Sequence, residues 1–196
     1  PTDFSKHAEY ALKVAAQIAK KNDGEIFLVH MLELPTSGND AISRAHDIPE
    51  LMFFKNAAVA KLDDLMDADY LNGVKISRII QFEMAFEGII KNGEAHNADL
   101  IVMGSHGANG FQEMFIGSNT EKVVRNSEVP VLVIKREEDT FSASKFVFAS
   151  DFSDEIKKPF EKVVEFVNKF GSHLYLTNIN TPNNFKSTKV AQKQMD

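Results

Sequence analysis

The sequence predicts an α/β protein built on an open, mostly parallel sheet with helices on both faces. Three observations carry that prediction. Short runs such as Leu100-Ile101-Val102-Met103 and Val131-Leu132-Val133-Ile134 are apolar throughout, the pattern of strands buried on both faces. Stretches of helical period separate such runs, so strands and helices alternate. The run at 100–103 stops at a glycine-rich loop that leads into a helix, a strand–loop–helix unit typical of this class.

The elements follow in order. Pro1-Thr2-Asp3-Phe4-Ser5 reads as a strand end and the turn after it, so a short apolar strand is expected upstream of Pro1. Ser5 is a candidate N-cap. Ala8, Ala11, Leu12, Ala15, Ile18 and Ala19 then share one helical face, and small residues dominate it, so this helix can approach a sheet closely. Lys20 and Lys21 suit the helix dipole, and Gly24 is expected to close the turn. Ile26 to Leu32 is the next buried strand, and His30 within it reads as a core or rim histidine rather than a ligand.

Residues 33–47 form a loop marked by Pro35, Ser37, Gly38 and Asn39, long enough to imply function or mobility. Pro49 suits the first turn of a second helix. Leu51, Phe54, Ala58, Leu62, Leu65 and Met66 form its core face, Asp63, Asp64, Asp67 and Asp69 a solvated one, and Gly73 its end. Val74, Ile76, Arg78, Ile80 and Phe82 alternate as a strand. Phe86, Ile89, Ile90 and His96 suggest a third helix, crossed by Gly88 and Gly93.

The glycine loop has a chemistry of its own. Glycines fall at 104, 107, 110 and 117, and Gly117 precedes Ser118-Asn119-Thr120 and a helix running to Asn126. Glycine lets the backbone approach a ligand closely, and successive N–H groups can form an anion nest. The following helix begins with unpaired N–H groups and the positive end of its dipole. Ser118 and Thr120 add hydroxyl donors. Together these suit a phosphate chain, although glycines alone could serve only as turns. No lysine follows Gly117, so this is not a Walker A loop. Gly104-Ser105-His106-Gly107 lacks the Gly-x-Gly start of the dinucleotide fingerprint.

Arg136 to Ser144 is polar, without period, and reads as a linker. Beyond it the chain repeats itself. Lys145 to Ser153 is a strand ending in Asp-Phe-Ser, as at Asp3-Phe4-Ser5, and Asp151 follows Asp3 by 148 residues. The same offset pairs Leu12 with Phe160, Ala15 with Val163, Ile18 with Phe166 and Leu28 with Leu176. A repeat of this length implies two tandem copies of one domain. The expected organisation is a first domain over 1–135, a linker over 136–144 and a partial second domain over 145–196. The second copy stops after its second strand, before any glycine loop, so the chain reads as a fragment of a tandem protein or an incompletely ordered one. The tail from Thr181 is assigned no structure.

Composition narrows the function. The 196 residues are 43% hydrophobic, enough for one core and part of another. A net charge of -6 with no basic stripe argues against nucleic acid as a partner. With no cysteine there is no disulfide framework or thiol chemistry. No run has transmembrane length and no signal-peptide pattern is present, so a soluble cytoplasmic protein without membrane contact is expected.

Gly104-x2-Gly107-x9-Gly117-Ser118 matches the nucleotide-loop signature of the ATP-binding branch of the universal stress protein family. Met103 to Gly107, Val129 to Ile134 and Pro1 to Ser5 resemble the same family, in order and spacing. The resemblance covers 1–135 and, more weakly, 145–182. It implies a Rossmann-like fold of the adenine nucleotide alpha hydrolase type and assigns roles. Pro1, Thr2 and Asp3 would line the adenine and ribose, with the Asp3 carboxylate on a ribose or base donor. Met31 would present backbone groups to the adenine edge. Met103 and Gly104 would sit against the ribose, with Ser105 and His106 in the same site. Gly107, Gly117, Ser118, Asn119 and Thr120 would hold the phosphates of ATP, ADP or AMP, and Mg would come with the nucleotide. His106 stands where the family often has His or Arg, although a solvent-facing loop residue is an equal reading. The second copy has Ala149-Ser150-Asp151 in place of Pro-Thr-Asp, so no second site is inferred. Pairing through the strand Val129 to Ile134 is also implied, as a homo-oligomer or as an intramolecular pseudo-dimer.

For chemistry at the γ-phosphate, the candidate groups are Asp3 and His106, and the glycine loop holds no Lys or Arg. That poverty favours binding over catalysis. A slow ATPase, or an assembly module with a vestigial site, are the alternatives. No Gly-x-Ser-x-Gly elbow supports a serine hydrolase.

Overall fold

The computed structural model describes residues 1–33, 48–106, 116–153, 156–182, 185 and 187–195. The chain divides into two compact units, Pro1–Phe141 and Ser142–Asp196.

In the first unit the elements are α1 (Lys6–Asn22), β1 (Glu25–Leu32), α2 (Ile48–Met66), a 3-10 turn (Asp69–Leu71), β2 (Lys75–Phe82), α3 (Ala85–Ala95), β3 (Ile101–Gly104), α4 (Ser118–Asn126) and β4 (Val131–Ile134). All described pairing is parallel. β1 pairs with β2 from Glu25↔Lys75 to Leu32↔Phe82, and β3 pairs with β4 from Ile101↔Val131 to Gly104↔Ile134. The described ladders are thus two strand pairs, and β4 pairs with β3 alone among the described residues. The Thr2 N–H donates to the Val29 carbonyl (2.8 Å) and ties the start of the chain to β1.

Helices pack in two layers. Leu12 and Ala16 of α1 join Leu62 of α2 over Leu28 of β1, while Ala11 and Val14 of α1 bury against Ile134 of β4. Ile89 of α3 and Val123 of α4 meet over Ile101 and Met103 of β3. Alanines make the α1 seat possible, because their short side chains let the helix backbone approach the strands.

Ser5 caps α1 as expected, its Oγ accepting from the Ala8 N–H at 3.2 Å. Several boundaries differ from expectation. Asp23, not Gly24, takes the left-handed position after α1, with φ 51°. Gly73, with φ 81°, follows the 3-10 turn rather than ending α2, which stops at Met66. Phe54 is exposed rather than in the core, as are Met52 and Phe53, and the buried face of α2 starts at Ala58. The tail contains a helix, α6 (Thr188–Met195), where none is predicted. The loop expected over 33–47 lies, from residue 34, outside the described residues. Glu137 to Phe141 runs along α1. Lys13 pairs with Glu137 at 2.5 Å, and the Phe141 N–H donates to Gln17 Oε1 at 2.7 Å.

The second unit holds β5 (Lys145–Ser150), α5 (Lys157–Phe170), β6 (His173–Asn178) and α6. β5 and β6 are parallel, in register from Lys145↔His173 to Ser150↔Asn178. Phe146, Phe148, Phe160 and Phe166 pack between this sheet and α5. Its first turn repeats that of the first unit. Phe4 N–H donates to Thr2 Oγ1 (3.1 Å) and Ser5 N–H to Asp3 Oδ1 (3.0 Å). Phe152 N–H donates to Ser150 Oγ (3.1 Å) and Ser153 N–H to Asp151 Oδ1 (3.0 Å). Phe4 and Phe152 both have positive φ, 63° and 50°.

Candidate functional site

Parallel strands with helical crossovers place their carboxyl ends along one edge, and a ligand crevice forms there. The Thr2–Ser5 turn, the end of β1, the end of β3 and the start of α4 all belong to that edge.

Thr2 is buried, and its carbonyl oxygen lies 2.8 Å from His30 Nδ1. The His30 ring also rests on Phe4, with centroids 4.5 Å apart. His30 is therefore satisfied within the fold. Asp3 is exposed, and Oδ1 accepts the Ser5 N–H, which fixes the carboxylate at the turn. Met31 is held from behind. A Cβ on Gly88 of α3 would lie 2.4 Å from its Sδ, so the side chain fills the space a glycine leaves.

Gly104 ends β3 between the two helix layers. A Cβ there would lie 2.7 Å from the His7 carbonyl carbon and oxygen in α1. From the other side Thr120 Oγ1 of α4 donates to the Gly104 carbonyl at 2.9 Å, and Thr120 is only 4% exposed. The glycine is thus required for close helix approach. The Thr120 hydroxyl proton is committed to the fold, so the expected hydroxyl contact to a phosphate is not available from it. Ser105 is 1% exposed. Its N–H donates to the Ile134 carbonyl (2.9 Å), its carbonyl accepts the Gly117 N–H (2.8 Å), and its Oγ lies 2.9 Å from His106 Nδ1. These bonds hold both ends of the glycine loop together. Gly107 lies outside the described residues.

Gly117 is the N-cap of α4 and offers no side-chain cap. The first helical bond runs from the Glu121 N–H to the Gly117 carbonyl. Helix geometry leaves the Ser118, Asn119 and Thr120 N–H groups without intrahelical partners, at the positive end of the dipole. An anion is the natural partner for such an end.

The sequence model of the Universal stress protein family matches residues 1–135, the span that carries every one of these features. The chain belongs to the universal stress protein family. Universal stress protein MJ0577 of Methanocaldococcus jannaschii is 34% identical over 149 residues, covering 69% of this chain and 92% of that protein. Universal stress protein MJ0531 of the same organism is 33% identical over 137 residues, 69% of this chain and 79% of its own length. The solved structure of MJ0577 superposes with a TM-score of 0.57 at 32% identity, covering 71% of this chain and 94% of its own. UspA from Lactobacillus plantarum, at 21% identity and a TM-score of 0.55, shares the fold. The parallel α/β fold of the first unit is that of the universal stress proteins.

His7 was not singled out by sequence. It packs its backbone on Gly104 and its ring 5.2 Å from that of His106. Nothing in residue spacing reveals such a contact, because the two histidines lie 99 positions apart in the chain.

Proposed function

We propose that this universal stress protein domain binds an adenine nucleotide, ATP with Mg, and acts as a nucleotide-dependent stress-response or signalling module in the cytoplasm. The observation that carries this reading is the uncapped start of α4, tied through Gly117 to Ser105 at the end of β3. Three N–H groups and the Ser118 hydroxyl would receive the phosphate chain. Asp3 and the backbone of Met31 would take the nucleoside end, with Pro1 and Thr2 behind them. Met103, Gly104, Ser105 and His106 form the floor between, and Gly107 would join the phosphate contacts. Mg would be carried in by the phosphates, since no cluster of three metal-ligating side chains occurs among the described residues.

Binding is favoured over turnover because residues 104–120 contain no Lys or Arg to neutralise a transferring phosphoryl group. Slow hydrolysis is the second reading, and a vestigial site on an assembly module the third. The second unit reads as a partial copy of the same domain, a reading supported by the matching Asp-Phe-Ser turns. Partnering through the strand Val129 to Ile134, with another chain or within a tandem protein, would cover the side of β4 away from β3. No helix among the described residues is long and apolar enough to cross a membrane.

The test begins with protein purified without added nucleotide and then denatured. Released ATP, ADP or AMP, or saturable Mg-ATP binding by the emptied protein, is expected, and the ratio of species reports hydrolysis. Gly117→Val should crowd the phosphate approach and weaken binding at least tenfold with the fold retained. Unchanged affinity would place the site elsewhere.

A further inference from the structure

We propose that His7, on α1, joins His106 as a proton-linked pair that recognises the phosphate chain, so that nucleotide binding takes up protons. This rests on the nucleotide reading above and adds to it a residue and a mode of regulation. The two rings lie 5.2 Å apart, tilted by 50°, at the tip of β3. Each is positioned by the fold rather than by its own rotamer alone. The His7 backbone is wedged against Gly104, and its ring meets Tyr10 edge-on at 5.8 Å. His106 is oriented by the buried hydroxyl of Ser105.

Histidine is the side chain whose charge ordinarily changes between pH 5 and 8. An anion placed beside two imidazoles favours their charged forms, because opposite charges attract. A polyphosphate is such an anion. The anion and the protons therefore favour each other's binding, a reciprocal linkage. This supplies the positive charge that the loop sequence lacks, since no Lys or Arg lies between Gly104 and Thr120.

Other charges around the pair are engaged elsewhere. On α1, Lys13 pairs with Glu137 and Glu9, at 2.5 and 3.5 Å. Asp3, in the turn before α1, accepts the Ser5 N–H. On α4, Glu121 pairs with Arg125 at 2.9 Å. Lys61 of α2 sits over the Phe4 ring, 5.3 Å from its centroid. His30 of β1 is bound to the Thr2 carbonyl. Lys6 precedes His7 in the first turn of α1, and Lys135 follows β4.

The experiment uses the full chain and Mg-ATP. Isothermal titration between pH 6 and 8, in buffers of different ionisation enthalpy, counts protons taken up. Wild type should bind three- to tenfold more tightly at pH 6 than at pH 8, with net proton uptake at pH 7. His7→Gln and His106→Gln should each reduce that uptake, and the double variant should remove most of it. The protonation state of ATP itself is common to all variants and cancels in the comparison. As a check that needs no variant, the histidine ring resonances of wild type are titrated with and without Mg-ATP. Two of them should move to higher midpoints with ligand. Equal proton uptake in wild type and variants, or unmoved midpoints, overturns this proposal while leaving nucleotide binding standing. Failure of wild type to bind Mg-ATP at any pH overturns both.

Discussion

Replacing Gly104 with alanine tests whether the tip of β3 is the point where the two helix layers meet. The glycine has an ordinary backbone conformation, so the cost of a methyl group is steric. That methyl would stand 2.7 Å from the His7 carbonyl carbon and oxygen and 2.8 Å from its Cβ. Two of those three atoms are helix backbone, which cannot swing aside as a side-chain tip can. Either α1 lifts or β3 sinks, and β3 is held by Thr120 and Ile134. Overpacking of this kind costs about 1–3 kcal/mol, and a domain near this size would lose about 3–10 °C in Tm. Urea denaturation gives the stability change, and amide exchange shows where protection is lost. Gly73→Ala is the control, because its φ of 81° brings strain but nothing lies within 4 Å. It should cost about 1 kcal/mol and leave exchange in α1 and β3 untouched. Gly104→Ala with wild-type stability and unaltered protection in α1 would refute the proposed seat.

Further outcomes follow from the same contacts. Gly88→Ala meets only the flexible Met31 thioether, at 2.4 and 2.7 Å, so it should destabilise less than Gly104→Ala. A double-mutant cycle with Met31→Ala should show coupling above about 0.5 kcal/mol. Thr120→Val removes the buried donor to the Gly104 carbonyl and should cost about 1–3 kcal/mol, whereas Thr120→Ser should lose much less. Burial, with Glu9 nearby, raises the Tyr70 phenol above its usual value, and its buried hydroxyl has no hydrogen-bond partner among the described residues. A raised folded value means a stability contribution complete below about pH 10 and lost as pH rises beyond it. Ultraviolet titration should therefore show a late phenol ionisation that Tyr70→Phe removes, and the same variant should flatten the alkaline fall in stability without harming it at neutral pH.

Much of the first unit was legible because its strands are short runs of continuous apolar character and its helices carry clear periods. Val131–Ile134 needed no more than that, and Ser5 announced the start of α1 by its chemistry. Chain punctuation was harder. Gly24 and Gly73 both looked like helix ends, yet Asp23 tolerated the left-handed position and a 3-10 turn intervened before Gly73. Phe54 had the right spacing for a core residue, but periodicity does not say where along a helix the covering layer begins. At the site, the glycine pattern located the loop and the start of α4. It did not show that Gly104 answers to His7, or that the Thr120 hydroxyl is spent on a carbonyl. Both depend on contacts across the fold.

Helix α1 has a consequence for how the first unit comes apart. Leu12 and Ala16 belong to the core over β1, while Ala11 and Val14 belong to the core at β4. One helix therefore closes the apolar seams of both strand pairs. Local opening of α1 would uncover both at once, so neither pair should act as an independent foldon. A proteolytic nick or a circular permutation that frees α1 would dissolve the whole unit rather than loosen one side. Unfolding of this unit is thus all-or-none by construction, with a helix rather than a continuous sheet as the element that enforces it.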